Sequence, residues 1–62
     1  MAILIHEVAA GRLVAAGPTR REAIDGALEA FRLEGIQMTR QEFDALVVLG
    51  DFRFEIEPGL LH

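Results

Sequence analysis

Polar and apolar positions along this chain follow two rhythms. Between Thr19 and Gly35, Ile24, Ala27, Leu28 and Phe31 recur at three- and four-residue steps, with Ala23 and Ala30 beside them. Glu22, Asp25, Glu29 and Arg32 take the other side. That spacing predicts an amphipathic helix over 19–34. Thr19 is placed to cap its first turn, and Glu22 three residues on completes the capping-box pattern. Gly35 is placed to take the left-handed conformation that ends a helix. Thr39-Arg40-Gln41-Glu42 repeats the opening in front of a second helix over 39–49, with Phe43, Leu46 and Val47 as its stripe and Gly50 as its stop. At Asp51 the rhythm changes to period two. Phe52, Phe54 and Ile56 alternate with Arg53, Glu55 and Glu57, which predicts a half-buried strand over 51–57. Pro58-Gly59 ends it, and Leu60–His62 reads as a loose tail.

The first sixteen residues support two readings. Residues 2–8 are rich in β-branched side chains, and Gly11 separates them from 12–16, which is the pattern of a hairpin with its turn near Ala9–Gly11. Ile5, Val8, Ala9, Leu13 and Ala16 also fit a helical stripe that Gly17-Pro18 would stop, although Gly11 inside a helix would cost about 1 kcal/mol relative to alanine. The hairpin gives strands at about 2–8, 12–16 and 51–57, and an α+β fold in the order ββααβ. This is one domain, a three-stranded sheet with two helices on one face and the first strand in the middle. Ile3 and Ile5 would share one face of that strand and Leu4 the other, so both faces are apolar, where a half-solvated strand would alternate. Only one face can receive the helices. The other invites a partner, and Ile3 and Ile5 are the candidate contacts with a second copy of the chain. Gly26, inside the long helix, marks a close approach to a neighbouring element or is merely tolerated.

Composition strengthens the expectation of a partner. A chain of 62 residues buries only about 60% of its unfolded surface, so its core is thin. There is no cysteine to supply a disulfide, and no His/Cys cluster to hold a structural metal. Association is the remaining common solution, and a hydrophobic content of 52% fits it. The net charge is −4 and all six basic residues are arginine. That balance disfavours direct nucleic-acid binding, which needs a basic face, and suits a basic protein partner. No run approaches the roughly 18 apolar residues of a membrane span. Met1–Ala16 has no basic leader, and a cytoplasmic location is the default.

Absent residue types remove most chemistry. Without Ser, Cys or Lys there is no serine or cysteine nucleophile and no Schiff base. Thr19 and Thr39 each sit at a helix start and read as caps. His6 and His62 are not spaced as metal ligands, and Gly11, Gly17 and Gly26 match no phosphate loop. Glu55 and Glu57 share a strand face, but a general acid/base pair needs a cleft to shift one pKa, and Arg53 on the same face would pair with carboxylates instead. The chain therefore reads as non-enzymatic and cofactor-free. Its candidate contact residues are Arg53, Glu55 and Glu57 on the wet face of the last strand, and Glu34 at the corner before Gly35.

Two resemblances point the same way. Gly17-x-Thr19-x-x-Glu22-Ala23-x-x-x-Ala27-x-Glu29-Ala30 resembles the helix-entry segment of HicB-type antitoxins, over about residues 12–35. It implies a small sheet with a helix that binds a small, basic RNase toxin. Arg32-Leu33-Glu34-Gly35-Ile36-Gln37-Met38 resembles the inhibitory-helix end of VbhA-type antitoxins, which silence Fic AMP-transferases. That resemblance implies an all-helical fold, with Glu34 competing for an arginine that would hold the ATP γ-phosphate. A ribbon-helix-helix antitoxin would need polar side chains on its strand to read bases, and Met1–Ile5 offers none. The expected function is that of an antitoxin-like or inhibitor-like protein-binding module acting as a homodimer. The alternative is an assembly subunit whose apolar sheet face is a permanent homo-oligomer interface.

Overall fold

The computed structural model describes residues Met1–Pro58; the expected tail at Leu60–His62 lies outside them. The order is strand β1 (Ala2–Glu7), strand β2 (Arg12–Gly17), helix α1 (Arg20–Leu33), helix α2 (Arg40–Val48) and strand β3 (Phe52–Glu57). This is an α+β fold in the order ββααβ. The N-terminal segment is the hairpin, not the competing helix. Three strands form one antiparallel sheet in the order β2-β1-β3, with β1 in the middle.

The helix ends follow from their residues. The Thr19 hydroxyl accepts from the Glu22 amide at 3.1 Å, as a cap should. The expected reciprocal half of the box is absent from α1, because the Glu22 carboxylate instead accepts from the Thr19 hydroxyl at 3.3 Å. In α2 both halves form: Glu42 N–H donates to Thr39 Oγ1 at 3.1 Å, and Thr39 N–H donates to Glu42 Oε1 at 2.8 Å. Gly35 and Gly50 close the two helices at φ 86° and 90°. At each end the amide beyond the glycine reaches back to the last turn: Ile36 N–H to Phe31 O at 2.8 Å, and Asp51 N–H to Leu46 O at 2.9 Å.

Both helices pack on one face of the sheet. The core is Ile5, Ala23, Ile24, Ala27, Phe31, Phe43 and Phe52. Phe52 stacks on Phe43 with centroids 4.8 Å apart and meets Phe31 edge-on at 5.7 Å, so three elements join at one ring. Register places Ile3 opposite Ile56 and Ile5 opposite Phe54, so these residues share the helix-covered face. Ile5 is completely buried and Ile3 packs against the core. The expectation that Ile3 and Ile5 contact a second copy is therefore corrected: the helices occupy that face, and the Leu4 face is the open one.

Close approach of α1 to β2 rests on small residues. A Cβ on Gly17 would lie 2.7 Å from the Ala23 nitrogen, and one on Gly26 would lie 3.4 Å from Ala15 Cβ. The Gly26 distance is ordinary van der Waals contact, so this glycine is tolerated rather than required, and the tight approach is at Gly17. One register shift interrupts the hairpin. Ile5 pairs Ala15 while His6 pairs Leu13, leaving Val14 as the extra residue of a bulge. Val14 packs toward the core, and Leu13 is turned to the face shared with His6.

Candidate functional site: the open face of the sheet

The open face is assembled by period two and by the bulge. From β1 come Ala2, Leu4 and His6; from β3 come Arg53, Glu55 and Glu57; from β2 come Ala16, opposite Leu4, and Leu13, opposite His6. The face is divided lengthwise. Its β2 half is apolar, with Leu13 54% exposed. Its β3 half is charged. Leu4 lies on the boundary, with Ala16 on one side and Glu55 on the other.

His6 Nε2 and Glu55 Oε1 stand 2.9 Å apart across the two strands. His6 is the shielded partner, and the Glu55 side chain is half exposed. Arg53 lies opposite His6 rather than opposite a carboxylate, and it makes no ion pair among the described residues. The expected pairing of Arg53 with neighbouring carboxylates is therefore absent among the described residues; register puts the imidazole where an acid would have to be.

Glu34 belongs elsewhere. It is the C-cap residue of α1, and its carboxylate lies 3.9 Å from Arg12 on the helix side of the hairpin end. Arg12 donates to Glu7 at 2.8 Å, and this hydrogen bond, with the charges of Glu7 and Glu34, raises the guanidinium pKa above its ordinary value. The four expected contact residues thus divide: Arg53, Glu55 and Glu57 share the open face, and Glu34 joins a separate ion cluster. Pattern reading passed over Leu13 and His6 as members of this face. Leu13 carries no sequence signal for its placement, because the Val14 bulge decides it. His6 could have been found from the register that sets it diagonally across from Glu55.

Two grooves lie on the helix side. One is lined by Asp25, Leu28, Arg32 and Met38, the other by Arg20, Ile24, Val47 and Val48. No described helix is long and apolar enough to cross a membrane. Comparison with protein families, curated proteins and solved structures returned no match.

Proposed function

We propose that this chain is a non-enzymatic protein-binding module, antitoxin-like or inhibitor-like, whose contact surface is the open face of its sheet. The observation that carries this reading is the division of that face. Apolar Leu13 and Ala16 on β2 and Ala2 and Leu4 on β1 share one face with charged Arg53, Glu55 and Glu57 on β3, Ala2 lying opposite Glu57 and Leu4 opposite Glu55. A sheet face meant only for water would alternate to polar residues throughout. An apolar patch edged by charge is instead the anatomy of a protein interface. The acidic balance of the chain favours a basic partner. The β2–Gly17-x-Thr19–α1 passage supports the HicB-like resemblance, because it is a strand running through that turn into a capped helix. The all-helical fold implied by the VbhA-type resemblance is not the fold of this chain.

Affinity purification of the native chain beside Leu13→Glu tests the reading. A basic protein held by the native chain in a defined stoichiometry, and lost from a Leu13→Glu variant with native circular dichroism, is expected. Equal capture by both would move the contact surface off this face. A closed homo-oligomer that buries Leu4 and Leu13 with no other protein would establish the assembly-subunit alternative.

A further inference from the structure

The sheet has two edges, and only one is blunted. β2 carries the Val14 bulge, a device that spoils an edge for further pairing. β3 pairs β1 without a register shift over its whole length, and it has no strand on its other side among the described residues. Val8 N–H donates to Asp51 O at 3.0 Å, a single bond that continues the same ladder and sets its phase. Alternation along an antiparallel ladder then assigns the amides and carbonyls of Arg53, Glu55 and Glu57 to β1. Those of Phe52, Phe54 and Ile56 point away from it, toward the free edge.

We infer that this edge pairs with the β3 edge of a second copy, antiparallel about a two-fold axis at Phe54, to give one continuous six-stranded sheet. Charge selects the occupant and the register. With Phe54 opposite its own symmetry mate, Phe52 lies opposite Ile56 of the other copy, and each residue donates and accepts one backbone bond. Arg53 of each copy then lies opposite Glu55 of the other. That supplies a carboxylate for Arg53, which has none among the described residues of its own chain, while Glu55 keeps His6 on its other side. Sliding by one hydrogen-bonded step sets Arg53 against Arg53 or Glu55 against Glu55, and like charges directly opposite are destabilising. The selected register leaves a like-charged contact at each end, Asp51 of either copy with Glu57 of the other, at the outermost pairs. Ile56, 63% exposed in the single chain, gains cover beside Phe52. The inference shares Arg53 and Glu55 with the partner-binding reading but rests on the strand edge and leaves Leu4 and Leu13 uncovered, so Leu13→Glu tests that reading and Arg53→Glu in the isolated chain tests this one.

The native chain has no cysteine, so introduced thiols report on pairing alone. Arg53 and Glu55 of the other copy would form a non-hydrogen-bonded pair with Cα atoms about 4.5 Å apart, within disulfide reach. Mixed Arg53→Cys and Glu55→Cys chains are expected to cross-link at least tenfold faster than either variant with itself. In sedimentation equilibrium up to about 1 mM, where a small interface should show, Arg53→Glu alone is expected to weaken dimerisation at least tenfold. The double exchange Arg53→Glu/Glu55→Arg should recover it. A native chain monomeric at 1 mM, or self-cross-linking of Arg53→Cys as fast as the mixed reaction, would overturn the inference.

Discussion

Replacing Gly17 with alanine isolates the contact that seats α1 on the hairpin. Gly17 is not among the glycines with positive φ, so its backbone accepts an L side chain and the whole penalty is steric. The new Cβ would stand 2.7 Å from the Ala23 nitrogen, 3.0 Å from the Glu22 carbonyl carbon and 3.1 Å from Ala23 Cα. All three atoms are backbone of the first helical turn, so none can swing aside. Restoring contact at about 3.4 Å or more requires the turn to lift by roughly 0.7 Å, away from fully buried Ala23 and from the Thr19 cap. Overpacking of this kind costs about 1–3 kcal/mol, and a weakened cap adds up to about 1 kcal/mol. Lost freedom of the unfolded chain returns about 0.4–1 kcal/mol. The expected net loss is about 2 kcal/mol. With a urea m-value near 1 kcal/mol/M for a chain of this size, the unfolding midpoint should fall by about 2 M with unchanged slope. Gly26→Ala is the internal control. Its Cβ would meet Ala15 Cβ at 3.4 Å, and removing a helix-interior glycine should stabilise by about 0.5–1 kcal/mol. A Gly17→Ala midpoint equal to or above that of the native chain would refute the seating argument.

Three further outcomes follow from the packing and the ion pairs. Thr39→Ala removes the hydroxyl half of the α2 capping box and should cost about 1 kcal/mol by urea titration, while Glu42→Ala removes the other half, the bond from the Thr39 backbone N–H, and should lower the midpoint in its turn. Phe43→Ala empties a fully buried site stacked on Phe52; a loss of about 3–5 kcal/mol is a large share of the stability of a domain this small, and thermal unfolding followed by circular dichroism should show the transition shifted far down or abolished. The Glu29 carboxylate accepts from Arg32, and this hydrogen bond holds its pKa below the ordinary 4.5. Its stabilising contribution is therefore present above pH 4.5 and is lost as pH falls through the depressed folded value. A carboxyl carbon titration by NMR should find the Glu29 midpoint below 4.5, and Arg32→Gln should bring it back up.

What the sequence disclosed depended on how local each signal was. Thr19, Gly35, Thr39 and Gly50 act on backbone groups within one turn of themselves, so both helices were legible to within a residue or two. The alternation of Phe52–Glu57 was equally plain. The segment before Gly17 was ambiguous, because Ile5, Val8 and Leu13 satisfy both periods. Choosing the buried face of β1 required register: Ile3 and Leu4 are equally apolar, and pairing with Phe54 and Ile56 decides for Ile3 and Ile5. Of the candidate contact residues, the three on β3 were found from their strand alone. Leu13 was not, since one extra residue at Val14 reverses its side.

Placing β1 between β2 and β3 also sets a folding order. Its hairpin partner follows after a short turn, but the strand on its other side must travel back so that Glu57 meets Ala2. Early in folding the middle strand therefore carries one satisfied edge and one bare edge, with Ile3, Leu4 and Ile5 in a row along it. Closing a loop that spans both helices is slower than closing the hairpin. Until β3 arrives, that bare apolar edge is the segment most prone to join a strand from another chain, so conditions that delay β3 should raise aggregation before they lower the stability of the finished fold.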